Sequence, residues 1–548
     1  MKTNLLICLV FIFCSNELFA QYSPFNIQTS EGADVSGHEI LATIPLGVNG
    51  VIQVDNRRCE SFKFFHYSSD LKLKNQNTVT FEKGSEMIES YDPIFLSMKT
   101  KSYLLVRQVN REKVMEGISA IEFSADKLAF VGDLRNLYNV DKPGDNLIDR
   151  KLYDNLLTTQ YRKEIGGHVT YTSSDSSKLL LNYIQKPKVR NDKENFAKVS
   201  LQLYDDNLEK IWGGVFKLPH SEYKMDIESY FVANSGKVYM VTRVYTSQTH
   251  SMMYNTDFKK FYYELLVFDK TTTAPKRVKI DIDKVEIQTL NFIQNSKGEI
   301  YIAGMLYNPY EAPFIAKFDE LTDQIQLESF TNYRRSLEIL KMYRTVGERN
   351  KIDRVEQGID TRTNKNVPGL ERMHRELYEK QLTVRKLFFV PDGTFRMIAE
   401  VDYFSGNSDY ARANDIYVYA LNKDFKLEWV RKIPKCQAQN TDIRYEHEFS
   451  INAILTGSTV NLFYLDNPVN FNVDENSVPE YCKEGKTSSI IGIQIDKKGE
   501  IKKYNIASTD QLATNFYIRL FLNGGQNNLM NTQRKGKNSF VYSLNVKN

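Results

Sequence analysis

IYVYALNKDFKLEWV (416–430) and IIGIQIDKKGEIKKY (490–504) decide how this chain reads. In each, an apolar-rich run ends at Asn422 or Asp496, a short polar turn follows, and a second run begins. β-branched and aromatic residues on both sides of an Asp/Asn/Gly turn make a β-hairpin. The same phrase recurs as FKFFHYSSDLKLK (62–74), VSLQLYDDNLEKIW (199–212), YELLVFDKTTTAPKRVKI (263–280) and PFIAKFDELTDQIQL (313–327). A second hairpin precedes most copies: YFVANSGKVYMVTRVY (230–245), NFIQNSKGEIYIAGMLY (291–307), LFFVPDGTFRMIAEVDYF (387–404) and INAILTGSTVNLFYL (451–465). Their turns carry Gly where a positive φ is needed.

Two successive hairpins give a four-stranded antiparallel unit. Working outward, units fall at 40–83, 92–132, 169–219, 226–282, 286–331, 383–434 and 445–506. A lone four-stranded sheet has an apolar face and nothing to cover it. Packing repeated sheets face to face around an axis buries both faces, which is the logic of a β-propeller. The expectation is an all-β propeller of seven or eight blades. The tail from 515 to 546 favours eight, as a last unit that an N-terminal strand completes. The competing architecture, an array of separate β-sandwiches, would need linkers, and none is visible. Within 332–382, Leu337, Leu340 and Tyr343, then Leu370, Met373 and Leu377, fall at helical spacing, so a helical insertion is expected there. The domain reading is a leader over 1–20 and a single propeller over 21–548.

Composition agrees with that class. The 548 residues are 41% hydrophobic and 26% charged, with 33 Tyr and 32 Phe but 2 Trp, a strand-favouring mixture. The net charge of +4 is too even for a nucleic-acid footprint. MKTNLLICLVFIFCSNELFA (1–20) has a basic start, a short apolar run and a small residue at Ala20. It reads as a signal peptide cut before Gln21, because a membrane helix needs about twenty apolar residues. Cys14 follows Phe13 rather than a small residue, which speaks against lipid attachment. Export permits a disulfide among Cys59, Cys436 and Cys482, and Cys436–Cys482 is the expected pair.

Chemistry is hard to find. There is no HExxH, no GxSxG and no CxxC, and Glu446-His447-Glu448 alternates across a strand. No cofactor and no metal ligand set is expected, and the enzyme question leans to no. Asp402 and Asp409, beside one loop, are the least arbitrary carboxylates for glycan cleavage. The stronger signal is loop asymmetry. Turns between the first and second, and the third and fourth, strands of each unit are short. The long connections are 186–197, 246–260, 405–414, 466–487, 133–168 and 332–382, and all belong to the opposite face. Long ordered loops usually carry function. Candidate partner-binding residues on them are Tyr254, Phe258, Tyr307, Tyr310, Tyr403, Phe404, Tyr410, Arg334, Arg335 and Arg344. Between Arg334 and Lys380 there are 12 Lys/Arg and 8 Asp/Glu.

The hairpin rhythm resembles the broad class of secreted β-propellers of Bacteroidota, over most of the chain and without a diagnostic motif. AKFDELTDQIQL (316–327) is faintly similar to a quinoprotein repeat, but the Gly and Trp that should follow are missing. The resemblance implies a periplasmic or secreted protein that binds an envelope protein, in an accessory or plug-like role at an outer-membrane export or motility machine. The runner-up is a propeller that binds or cleaves glycans.

Overall fold

The computed structural model describes residues 23–547. Outside that description lie 83–84, 88–89, 111–114, 142–161, 166–167, 186–192, 247–260, 281–285, 308–311, 331–349, 351–352, 354–380, 405–409, 441–449, 475–476, 478, 484–486, 513, 515 and 526. The described strands form eight antiparallel sheets arranged as a ring. Blade 1 is Glu39–Pro45, Val51–Arg57, Ser61–Tyr67 and Leu73–Thr80. Blade 2 is Ser90–Ser97, Ser102–Asn110, Met115–Ser124 and Ala129–Asp141. Blade 3 is His168–Thr172, Lys178–Ile184, Lys198–Asp205 and Lys210–Lys217, with an added strand Arg162–Ile165 beside the first. Blade 4 is Met225–Val232, Val238–Tyr245, Phe261–Phe268 and Lys276–Ile280. Blade 5 is Glu286–Gln294, Ile300–Tyr307, Ala312–Asp319 and Gln324–Phe330. Blade 6 is Gln381–Phe389, Phe395–Phe404, Tyr410–Leu421 and Leu427–Ile433. Blade 7 is Ile451–Thr456, Thr459–Asp466, Ser489–Ile495 and Ile501–Ser508. Blade 8 takes Leu522–Gly525, Asn528–Lys535 and Asn538–Val546 from the end of the chain, and Phe25–Thr29 from its start.

The recurring Asp or Asn has a defined job. In three of the hairpins its side-chain oxygen accepts the N–H groups two and four residues ahead. Asp205 takes Asn207 and Glu209 at 2.9 and 2.8 Å. Asn422 takes Asp424 and Lys426, both at 2.9 Å. Asp496 takes Lys498 and Glu500 at 2.8 and 2.9 Å. The fourth turn residue is left-handed: Leu208 at φ 59°, Phe425 at 56° and Gly499 at 85°. This is the three-residue hairpin turn with a bulge, and an Asx side chain holds it closed.

Alternation then builds the ring. Second strands are buried almost throughout, as in Val51–Arg57 and Val238–Tyr245. Last strands such as Leu73–Thr80 are exposed, so each blade runs from axis to rim. Each of the eight seams between neighbouring blades has its own apolar core. The seam between blades 3 and 4 is the most populous, with Leu180, Leu201, Met240 and Phe268 among its residues. The seam between blades 8 and 1 is the leanest, holding Val35, Val51, Phe65, Tyr67, Leu71, Met530 and Val541. At the rim of blade 8, Phe25–Thr29 pairs with Val546–Tyr542, so the chain ends lock the ring and no open edge faces along the circle.

The meander fixes which connections share a face. Turns joining first to second and third to fourth strands lie on one face, and the longest is 269–275. On the other face the strand ends are joined through 142–161, 185–197, 246–260, 331–380, 405–409, 434–450 and 467–488, although the joints at 58–60 and 536–537 are tight. Two expected loops were drawn too long. Residues 133–141 continue the last strand of blade 2, and the third strand of blade 6 already starts at Tyr410. In both places polar residues interrupt the apolar pattern while backbone pairing goes on. Of the expected helical insertion 332–382, residues 381–382 begin the first strand of blade 6, Asn350 and Asp353 are helical, and the rest lies outside the described residues. No helix of the described residues is long and apolar enough to cross a membrane.

Candidate functional site

Innermost strands repeat an irregularity near the elaborated face. A register shift falls at Ile40/Ala42, Tyr91/Ile94, Ile227/Ser229, Ile287/Thr289 and Val384/Lys386. A bulge turns one extra side chain toward the neighbouring strand. In three blades that residue makes an ion pair fifteen positions onward. Asp92 meets Arg107 at 2.7 Å, Glu228 meets Arg243 at 3.0 Å, and Arg385 meets Glu400 at 2.7 Å with the charges exchanged. The first two pairs are part-exposed, whereas Arg385 and Glu400 are 2% and 0% exposed.

The blade 6 pair anchors a buried polar network in the seam with blade 7. Glu400 Oε1 accepts from Lys435 Nζ at 2.5 Å, and Oε2 accepts from Arg385 Nε and, at 2.5 Å, from the Ser450 hydroxyl. Lys435 also donates to Gln437 Oε1 at 2.7 Å and to the Ala413 carbonyl at 3.0 Å. Gln437 completes the link across the seam by donating to the Leu465 carbonyl at 2.7 Å. Burial alone would raise the Glu400 carboxyl. The Lys435 ammonium and Arg385 guanidinium outweigh it and hold the group down at about 2. Such a network is a poor source of net stability and a strong constraint on geometry. Here it fixes how blade 6 meets blade 7.

Directly above it the seam is capped. Asp466 Oδ1 accepts from the Asn467 N–H at 2.9 Å and from Asn470 Nδ2 at 2.7 Å. Asn470 also ties both backbone groups of Glu480, at 2.8 Å each, so the connection 467–488 folds back on itself. Lys503 Nζ donates to the Asn470 carbonyl at 2.9 Å and lies over the Phe471 ring. Burial raises the Asp466 carboxyl. On the outside of this cap Val469 and Tyr481 are 66% and 40% exposed.

Blade 6 also stands proud of the face. Its second and third strands continue as a ladder from Asp402↔Ala413 to Phe404↔Ala411. Gln437–Asn440 pairs antiparallel with Tyr410–Ala413, and Cys482–Lys483 adds a parallel rung. Three expected partner-binding residues, Tyr403, Phe404 and Tyr410, thus share one projecting ladder, together with Asp402. Tyr307 ends the second strand of blade 5 at the same face. Tyr254, Phe258, Tyr310, Arg334, Arg335, Arg344, Asp409 and the Glu446–Glu448 cluster lie outside the described residues.

The expected Cys436–Cys482 bridge is corrected. Both are buried thiols that are not joined to each other, although the Cys482 N–H donates to the Cys436 carbonyl at 2.8 Å. The register sets Cys482 opposite Gln437. Cys436, one residue earlier, therefore faces the other side of the ladder. Cys482 Sγ instead lies 3.3 Å from the Ser488 hydroxyl, and burial pushes its thiol up to about 11. Sequence reasoning missed Arg385, Glu400 and Lys435. The signal for Arg385 and Glu400 was charge inside apolar strands, in TVRKLFF (383–389) and MIAEV (397–401), whereas Lys435 follows the last strand of blade 6. Among the described residues no group of three His, Cys, Asp or Glu is placed to hold a metal ion.

No protein-family model matches the chain, and no curated protein matches it in sequence. Prolyl oligopeptidase B from Galerina marginata aligns with 95% of this chain at 8% identity and a TM-score of 0.35. The alignment covers 55% of that enzyme, so the chain spans about half its length. The Nup133 β-propeller domain of Vanderwaltozyma polyspora aligns over 83% of this chain and 100% of its own, at 10% identity and a TM-score of 0.33. The polysaccharide lyase Uly1 aligns over 82% and 89%, at 10% identity and a TM-score of 0.34. Likenesses this distant carry no argument about chemistry or partners.

Proposed function

We propose that this chain is a non-enzymatic interaction subunit of the bacterial envelope, periplasmic or secreted, that docks a protein partner on its elaborated face. The observation that carries the reading is the unequal distribution of connections. One face is closed by tight turns, and the other holds the strand ends that the long connections join and the projecting ladder of blade 6. A ring locked at eight seams holds the strands that carry these connections, and the described ladder of blade 6, in fixed positions, which lowers the ordering cost of docking there. The leader reading supplies the compartment: removal of 1–20 leaves Gln21 four residues before the closing strand at Phe25.

The test is crosslinking in whole cells, followed by pulldown from gently extracted envelope. Charge reversal of Arg334, Arg335 and Arg344 together should deplete the crosslinked partner. Leu321→Asp, at a 93% exposed position on the tight-turn face, should not. Equal recovery from all three proteins, or recovery of the chain alone, overturns the proposal. N-terminal sequencing of the exported protein should begin at Gln21.

A further inference from the structure

Among the described residues, Lys386 is a cation with no carboxylate partner. It lies on the innermost strand of blade 6, directly after the Arg385 bulge, and pairs in register with Ile398. Ile398 belongs to the core between blades 6 and 7, so Lys386 faces that same seam, at its axial end. The residue is half-buried and sits on the strand nearest the axis. The protein around it depresses its ammonium to about 8, with desolvation as the cause.

The seam's carboxylates are already committed. Both oxygens of Glu400 are taken by Lys435, Arg385 and Ser450. Asp466 is held by Asn467 and Asn470 at the elaborated end. A second cation on this side of the sheet makes no described hydrogen bond to a carboxylate, although Glu428 and Asp392 act on it through space. Arg396 pairs in register with Phe388, two residues along from Lys386, and is 1% exposed. Its Nη1 donates to the Thr394 hydroxyl and the Phe395 carbonyl, and its guanidinium lies over Trp429. Among the described residues, Arg385 and Lys435 share Glu400, Lys503 lies 3.9 Å from Asp466, and Glu428 and Asp392 act on Arg396, whereas no carboxylate acts on Lys386. A desolvated ammonium with no carboxylate beside it is destabilising unless an anion joins it.

We propose that the axial end of the blade 6–7 seam is a binding site for an anionic group, a carboxylate or a phosphate, with Lys386 as its direct ligand. The site is separate from the docking face and does not depend on the docking reading. A small acid, or an acidic substituent reaching in along the axis, fits it.

The experiment measures thermal unfolding of the full mature chain in sodium chloride, phosphate or acetate at matched ionic strength. Ligand that binds the folded chain alone raises the melting temperature as its concentration passes Kd. Parent protein should melt higher in phosphate, in acetate or in both than in chloride. Phosphate alone marks a phosphate-bearing ligand, and acetate alone a carboxylate. Lys386→Gln and Lys386→Met should abolish the rise, and should melt no lower than the parent in chloride, because an unmatched charge has gone. Lys502→Gln, on the exposed last strand of blade 7, should keep the rise. The rise should also fade as pH passes about 8, where the ammonium deprotonates. No rise over chloride in the parent, or an equal rise in both Lys386 variants, overturns the site.

Discussion

Asp55 should make the seam between blades 8 and 1 sensitive to pH, and Asp55→Asn should remove that sensitivity. Asp55 is 0% exposed on the second strand of blade 1. Gln53 Nε2 donates to its Oδ2 at 2.6 Å and also reaches the Ser539 hydroxyl of blade 8. Among the described residues, Asp55 Oδ1 and Gln53 Oε1 have no hydrogen-bond partner. Lys63 and Arg534 are the cations that act on the carboxyl, and Tyr67 senses its charge. Burial dominates and lifts Asp55 from 3.8 to about 7. Between those values the folded chain holds a proton that the unfolded chain has released. Stability is therefore flat below about pH 4, falls as pH rises to about 7, and is flat again above it. Three units at 1.36 kcal/mol each put the loss at about 4 kcal/mol. The variant carries no charge at any pH. In urea unfolding at pH 4.5, 6 and 8, its advantage over the parent should grow with each step. His38 acts in the opposite sense: burial lowers its imidazole, so its contribution is lost as pH falls below 6.5. His38 and Asp466 remain in both proteins, so the difference between the two profiles isolates Asp55. Parallel profiles would refute the reasoning.

Glu400→Gln leaves Arg385 and Lys435 buried without their carboxylate. It should cost about 3–5 kcal/mol in chemical unfolding, and replacing all three residues with apolar ones should recover most of that. A Cβ on Gly492 would lie 2.5 Å from Phe25 Cδ2, in the slot where Phe25 meets Phe463 and Tyr504 edge-on. Gly492→Ala should expose 25–29 to protease. Phe25→Ala should cost about 3–5 kcal/mol, and the double variant less than the sum of the two. Denatured, unreduced mature protein should titrate three thiols, from Cys59, Cys436 and Cys482, and the folded protein should react far more slowly. A count of one would reveal a bridge.

The eight-bladed ring was legible because its turns are chemically local. Asp205, Asn422 and Asp496 each close a hairpin with hydrogen bonds to residues no more than four away. The closing role of the N-terminus was legible as a choice, since 515–546 offers too few strands to finish a sheet alone. The bulge ion pairs were not, because a fifteen-residue spacing carries meaning only once two strands are in register. Arg385 and Glu400 looked like interruptions of an apolar pattern, and their partner Lys435 comes from a connection after the fourth strand. Backbone pairing does bring 436 and 482 side by side, but the face that each thiol takes depends on register, which the sequence does not display.

Because Phe25–Thr29 is held by Asn538–Val546, the polypeptide has to be made almost entirely before its first strand finds its place. Seven blades can stack in the order they emerge, each resting on the last. Throughout that time the opening segment is a loose end with a Phe to bury. Joining ends separated by nearly the whole sequence comes late and slowly. A ribosome or translocase that stalls before the final strand would release an arc with two sticky edges, and a helper that shields such edges would be needed most at that last step.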